Sequence, residues 1–319
     1  MKRKAAIGIG ITALVLLTGA GLGYARFFYE PGADMSFDTS VREPALAARR
    51  TRVVFDHGHE NVHSIRGRYG PFAGLLRADG CRVSQSSGAF TPARLKDADV
   101  LVVVNAKASG ESGSAFSAEE CDAVEAWVGA GGSLLLVADH HPCGPAAAAL
   151  SAKFGVVMHG GWTDDEAHAR PGAGDPGQIV YSRDAGSLND HAITRGRSEA
   201  ERVNVVETFT GQSLTPPAGA AVLMPLAESA MDRVPKSSKS ETKGGTTTTT
   251  FETDDRSAAG HCQGVALRHG KGRVVVLAEA AMLSAQEQNG RKFGMNAPGN
   301  DNKRFTLNVV RWLAGALGE

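Results

Sequence analysis

The stretch Ser133-Leu134-Leu135-Leu136-Val137-Ala138-Asp139-His140-His141 decides the fold. Successive side chains of a strand point to opposite faces, and here both sets are apolar, so both faces must be covered. That pattern belongs to a central strand of a parallel sheet. Just upstream, Ser117 and Glu120 have the spacing of a capping box for a helix over Ala118 to Val128. Ala130-Gly131-Gly132 ends that helix with residues that tolerate left-handed geometry. Working outward, strand-like runs at Arg52 to Asp56, Arg82 to Gln85 and Val100 to Asn105 alternate with helical patterns at Pro71 to Ala78, Pro92 to Lys96 and Pro145 to Phe154. The repeat predicts an α/β fold with a mainly parallel sheet covered by helices.

The second half is less regular. Strand candidates fall at Val203 to Phe209, Ala221 to Leu226, Gly264 to Leu267 and Arg273 to Ala278, before an amphipathic helix from Arg304 to Ala316. These read as the remainder of the same sheet. Residues 229–260 carry Lys236-Ser237-Ser238-Lys239-Ser240 and the threonines Thr246 to Thr250, with almost no large apolar side chain. Composition favours a flexible insertion there, with a protruding hairpin as the alternative.

At 319 residues and 42% hydrophobic, the chain can bury a sizeable core. Lys plus Arg and Asp plus Glu both number 34, so the formal net charge is zero. No basic stripe with interleaved aromatics is present, which argues against nucleic acid as a partner. Lys2, Arg3 and Lys4 precede an uncharged run from Ala5 to Ala25, long enough to span a hydrocarbon core as a helix. Residues 1–26 are therefore expected to be a signal anchor, or a signal peptide if cleaved, followed by a linker over 27–50 and a domain over 51–319. That assignment puts the domain on the inner membrane facing the periplasm or cell exterior, or in the secreted fraction after cleavage. Cys81, Cys121, Cys143 and Cys262 include no Cys-x-x-Cys pair, and buried free thiols are expected.

Ligands of open parallel sheets bind at the carboxyl ends of the strands. Three polar clusters fall there: Asp56-His57-Gly58-His59-Glu60-Asn61-Val62-His63, then Asp139-His140-His141, then Glu279-Ala280-Ala281-Met282. Imidazoles and carboxylates from separate strand ends are the ligand types of zinc and other first-row divalent ions. The expected metal ligands are His59, His63, Asp139 and Glu279, with His140 and Asp56 as catalytic candidates and His140 also an alternate ligand. No other cofactor is implied. A structural reading stands beside this one, in which Asp56 and Asp139 cap helices or tie down loops. His159, His168, His261 and His269 lie in no linear constellation and are read as surface residues. Thr210-Gly211-Gln212-Ser213 follows a strand and either lines a pocket or makes a turn. No Gly-x-Ser-x-Gly elbow is present, and Cys143 beside Pro142 is the weaker nucleophile candidate.

With Phe55-Asp56, His59, Asn61, His63, Arg68-Tyr69, Pro71-Phe72, Ala138-Asp139-His140, Thr208-Phe209-Thr210-Gly211, Glu279-Ala280-Ala281-Met282 and Gly294-Met295-Asn296 before Asp301-Asn302, the chain resembles a bacterial family of the class I glutamine amidotransferase-like fold. That family is related to trehalose-utilisation-like domains, and the resemblance covers Thr51 to the C-terminus. It implies a flavodoxin-like three-layer fold but not glutaminase activity, because the Cys-His-Glu machinery is not in place. Related domains also occur as non-enzymatic modules. The expectation is a membrane-anchored, hydrolase-like protein acting on a carbohydrate or other polar envelope ligand. The alternative is a non-catalytic ligand-binding or scaffolding module.

Overall fold

Every residue of Val100–Val104 and of Ser133–Val137 is buried, and these strands form the centre around which the chain is layered. The computed structural model describes residues 12–17, 23–28, 32–108, 113–243 and 246–318. One sheet is built from β1 (Arg52–Asp56), β2 (Arg82–Ser86), β3 (Val100–Val104), β4 (Ser133–Val137), β5 (Val157–Met158), β6 (Leu214–Thr215), β7 (Ala221–Pro225), β8 (Cys262–His269) and β9 (Gly272–Leu277). Its order is β2-β1-β3-β4-β9-β8-β6-β5, with β7 also paired to β8. The helices are α1 (Gly70–Ala78), α2 (Pro92–Leu95), α3 (Ala118–Gly129), α4 (Cys143–Ala152), α5 (Ala192–Arg195) and α6 (Asn302–Leu313).

Strand alternation divides the core between the two faces. Val100, Val102, Val104, Leu135 and Val137 pack with Phe72 and Leu75 of α1 and Phe305 and Val309 of α6. The intervening Leu101, Val103, Leu134 and Leu136 pack with Val124 and Val128 of α3 and Ala147 and Leu150 of α4. Each large side chain buried this way contributes about 1.5–3 kcal/mol. The cap of α3 has the expected reciprocal bonds: Glu120 N donates to Ser117 Oγ at 3.2 Å and Ser117 N to Glu120 Oε2 at 3.0 Å. A bidentate ion pair, fully buried, fastens α6 to the end of α1. Arg311 Nε and Nη2 donate to the two oxygens of Asp79 at 2.9 and 2.8 Å.

Three expectations are corrected. The sheet is mixed, not mainly parallel: β2, β1, β3, β4 and β9 run parallel, whereas β8 is antiparallel to β9 and β6 to β8. The cause is the two-residue connection Gly270-Lys271, with Gly270 at a φ of 57°, which can only return the chain as a hairpin. Second, residues 229–260 hold a long hairpin in place of the favoured loop, Met231–Lys243 against Thr246–Ser257, where β-branched threonine suits extended backbone.

The third correction concerns the N-terminus. Among the described residues no helix is long and apolar enough to cross a membrane. Thr12–Leu17 and Gly23–Phe28 are antiparallel strands, and the first adds in parallel to Thr246–Ser257. Gly19, Gly21 and Gly23 each disfavour a helix by about 1 kcal/mol, while a hairpin edge offers unpaired backbone groups to an added strand. The membrane anchor, the membrane as partner, and the inner-membrane or exported location that rested on it are withdrawn. Lys2, Arg3 and Lys4 lie outside the described residues. All four cysteines are buried free thiols.

Candidate functional site

Because β1, β3, β4 and β9 are consecutive neighbours, Asp56, Asn105, Asp139 and Glu279 come to adjacent positions along one edge of the sheet. At β1, Asp56 is 4% exposed and organises the loop after it. Its carboxylate accepts from Gly58 N at 3.0 Å and Asn61 Nδ2 at 2.9 Å, and His59 Nδ1 lies 2.9 Å from both its oxygens. The other ring nitrogen of His59, Nε2, is 2.8 Å from Glu120 Oε1, so both nitrogens are engaged by carboxylates. Burial works against charge on His59, but Asp56 and Glu120 outweigh it and raise its pKa. The Glu120 that caps α3 also accepts from Phe90 N at 2.9 Å, tying the cap to this network.

Asp139 and Glu279 stand together at β4 and β9. Asn105, held at a φ of 42°, grips Asp139 twice: Nδ2 donates to Oδ2 at 2.7 Å, and Oδ1 accepts from Asp139 N at 2.9 Å. Ala280 N donates to Asp139 Oδ1 at 2.7 Å, while Ala281 N and Met282 N donate to the two oxygens of Glu279 at 2.5 and 2.8 Å. Burial raises the Asp139 pKa to about 6. Burial and then the charge of Asp139 raise that of Glu279 to about 8. The backbone amides hold the pair in place, and the mutual repulsion makes it a place to keep a proton near neutral pH.

His63 is connected to this region through Tyr69: its ring is 4.8 Å from that of Tyr69, whose hydroxyl donates to Ala280 O at 2.8 Å. His63 Nδ1 is buried without a partner, and burial, then the charge of Arg68, lower its pKa to about 4. His140 Nδ1 is 2.8 Å from His141 O, with its ring 5.3 Å from Trp162. The sequence-predicted residues thus divide into a His59–Asp56–Glu120 network and an Asp139–Glu279 pair to which Tyr69 connects His63.

A different trio has the geometry of a metal site. His159, Asp232 and His261 each offer a ligand atom, and the three lie within 4.8 Å of one another. These histidines are not the isolated surface residues that linear spacing suggested. His159 follows β5 and His261 precedes β8, and register places Met158 and Cys262 on either side of Leu214 in β6. Asp232 opens the long hairpin and is 2% exposed. Thr163 Oγ1 and Ser213 Oγ donate to its two oxygens at 2.6 and 2.5 Å. His261 Nδ1 lies 3.0 Å from Ser213 Oγ and 3.6 Å from Asp232 Oδ2. His159 Nε2 is 2.8 Å from Thr215 Oγ1. Burial, then the neighbouring His261, lower the His159 pKa, which keeps that imidazole neutral and able to ligate. The two rings stack at 4.1 Å with 12° between their planes.

Two imidazoles and one carboxylate, with hydroxyl groups orienting the carboxylate, form a donor set that could hold a divalent metal. Stacked rings point their lone pairs side by side, so convergence on one ion requires a rotation of at least one imidazole. Both histidines are only half-buried, which leaves room for it. Since β8 is antiparallel to β9, with Gly264 opposite Leu277, this cluster borders the same edge as Glu279. No linear signal reveals it; it exists only through pairing among β5, β6, β8 and the hairpin.

The fold and these clusters define an α/β protein whose mixed sheet carries its polar chemistry along one edge. No family model matches the chain, and no curated protein matches it. Among solved structures, the mmIFT52 N-terminal domain is similar at 12% identity and a TM-score of 0.58, over 82% of this chain and 97% of that one. That likeness shows a shared fold. The cytoplasmic protein STM3548 from Salmonella typhimurium matches at 9% identity and a TM-score of 0.47, over 82% and 98% of the two chains. A thua-like protein from Bacteroides uniformis shows a weak resemblance, at 12% identity and a TM-score of 0.40, over 86% and 93%.

Proposed function

We propose that the chain is a metal-dependent hydrolase of a small polar ligand, with a zinc-type divalent ion held by His159, Asp232 and His261. The observation that carries the reading is the approach of those three ligand atoms to within 4.8 Å around a carboxylate already oriented by two hydroxyls. Three protein ligands are the number used by catalytic zinc sites, and an ion held so would supply Lewis acidity and an activated water. In this reading Asp232 supplies the charge, Ser213 positions both Asp232 and the His261 ring, and Asp139, the more accessible of the carboxyl pair, takes up or delivers a proton. Kinship with the amidotransferase-like family belongs to the same proposal, without its glutaminase chemistry: burial, then the charge of Asp139, push the Cys143 thiol up to about 12, which keeps it from serving as a nucleophile.

A second ligand set, His59, His63, Asp139 and Glu279 with His140 and Asp56 as catalytic groups, has in its favour that Asp139 and Glu279 follow neighbouring strands, and against it that both nitrogens of His59 are taken by Asp56 and Glu120. Metal content of the purified chain under metal-replete conditions separates the two. The proposal expects near-stoichiometric metal, lost in Asp232→Asn and in His261→Ala and kept in Asp139→Asn. Loss confined to Asp139→Asn moves the ion to the strand ends, and absence of metal from the parent chain overturns both. Turnover of a panel of esters, amides and glycosides that stops on chelation and returns with metal supports the hydrolase. Stoichiometric metal without turnover favours ligand binding alone.

A further inference from the structure

Arg268 of β8 stands directly opposite Arg273 of β9. Two residues further into the sheet, the facing pair Ala266 and Val275 packs with Phe305 and Val309 of α6, so both arginines leave the sheet on the face that α6 covers. Like charges placed directly opposite destabilise a pair of strands. Arg49 reaches the same place from the segment before β1. The position a Cβ would take on Gly315, just past the end of α6, lies 2.8 Å from Arg273 Nη1 and 3.8 Å from Arg49 Nη1. Arg49 Nη1 donates to Ala314 O at 3.3 Å. Arg273 makes no hydrogen bond or ion pair with any described residue, and its Nε is buried. Its guanidinium carbon lies 5.5 Å from the centre of the Trp312 ring. Burial, then Arg268 and Arg49, lower the Arg273 pKa, and no carboxylate among the described residues opposes them.

We infer that Arg273, Arg268 and Arg49 form a binding site for a tetrahedral dianion of the phosphate class, at the end of β9 away from Glu279. A buried N–H left without an acceptor costs about 1–3 kcal/mol, more when it belongs to a charged group. Two further cations beside it add repulsion that no side chain offsets. The carbonyls at the end of α6 carry only partial negative charge, and Arg49 already takes one of them. A phosphate group meets both needs, because its oxygens accept from several guanidinium forks at once. The Trp312 face holds the plane of Arg273, while Arg49 and Arg268 are exposed and free of the core, so they can close on the anion from the solvent side. Gly315, at a φ of 71°, keeps a side chain out of the space beside Arg273 and Arg49. The inference is independent of the metal cluster, which borders the opposite edge of the sheet.

The test titrates inorganic phosphate into the metal-stripped full chain by calorimetry at low salt. Saturable binding, weakened about tenfold or more in R273Q and in the double variant R49Q/R268Q, is the expected result. The double variant changes exposed residues only, so it keeps the test readable if R273Q folds poorly. The control K96Q/K292Q removes two exposed charges elsewhere and should bind as the parent does. Equal weakening in the control means an adventitious ion only, drawn by net charge, and overturns the proposal. Lack of saturation at millimolar phosphate also overturns it. Acetate competing as well as phosphate would sink the assignment of class. Glu319 lies outside the described residues. Phosphate affinity about tenfold higher in E319Q would show that the chain's own carboxylate fills the site, and overturns an external ligand.

Discussion

Replacing Asp232 by Asn removes the one charge of the proposed metal cluster while keeping the size of the side chain. The Thr163 and Ser213 hydroxyls that now donate to it can rotate, one continuing to donate to the amide oxygen and the other accepting from the amide nitrogen. Without metal the variant should therefore melt close to the parent, within about 1 kcal/mol. The effect lies in the response to metal. An ion present at a hundredfold excess over its dissociation constant stabilises the folded state by about 2.7 kcal/mol. With an unfolding entropy of about 2.1 cal/mol/K per residue, or about 0.7 kcal/mol/K for a chain of this length, that stabilisation raises the Tm by about 4 °C. Thermal unfolding followed by circular dichroism, with zinc, cobalt or manganese added to the chelator-stripped chain, reads the shift directly. The parent should gain it and Asp232→Asn should lose most of it. A parent chain indifferent to all three ions, or a variant that responds as the parent does, refutes the assignment. A large fall in metal-free Tm would instead show that the Asp232 charge is needed by the fold itself.

Asp139 and Glu279 give the fold a pH dependence of definite sign. Both pKa values are raised, to about 6 and about 8, by burial and, for Glu279, by the charge of Asp139, so the folded state favours the protonated carboxyls. Their stabilisation is complete below the ordinary carboxyl range and is lost as pH rises from there through about 6 for Asp139 and about 8 for Glu279, so the urea midpoint should fall between about pH 4 and about pH 8 and level off above it. A flat or rising midpoint contradicts this, and Asp139→Asn should make the fall shallower. Arg311→Met leaves Asp79 charged and buried and should destabilise the chain by about 3–5 kcal/mol, read as a lower urea midpoint at unchanged slope. A loss below about 1 kcal/mol would mean that water reaches Asp79. Gly144→Ala places a Cβ 2.5 Å from Gln212 Nε2, a fully buried amide held by Ala138 O, Asp139 O and Gly160 N. Displacing it should cost about 2–3 kcal/mol of stability in the same assay, against a gain in helix propensity of about 1 kcal/mol; a variant as stable as the parent would refute the bracing role.

What could be read from sequence divides by distance along the chain. The central strand Leu134 to Val137 and the capping box at Ser117 and Glu120 are local signals, and both stand in the structure as read. The placement of Asp56, Asp139 and Glu279 at strand ends needed only the strand boundaries. Partners were not legible. That His59 is enclosed by Asp56 and Glu120 depends on the first turn of α3 meeting the loop after β1, and no spacing encodes that. The Thr246 to Thr250 run looked like loop because its polarity outweighed its β-branching, yet pairing with Met231–Lys243 makes extended backbone the better use of those residues. The apolar N-terminal run satisfied the length criterion for a membrane helix. Its glycines and an available hairpin edge were the competing terms.

One short segment shows why the strand-edge carboxyls and the metal cluster are not independent features. Gly211 packs so closely that a Cβ there would lie 2.6 Å from Ala278 O and 2.9 Å from Glu279 Cβ, which excludes any larger residue beside the buried Glu279. Gln212 then clamps the carbonyls of Ala138 and Asp139 while accepting from Gly160 N, the residue after His159. Ser213 orients Asp232 and His261, and Thr215 meets His159. Four positions within Gly211 to Thr215 therefore touch Glu279, Asp139 and all three members of the cluster in turn. Sequence reasoning left this segment between pocket lining and turn, because its role lies in contacts to five distant segments. A shift of its backbone would move a carboxyl pair and an imidazole pair together, so variants at Gln212 should alter the pH response and the metal response in the same molecule. Two independent sites would let those responses separate.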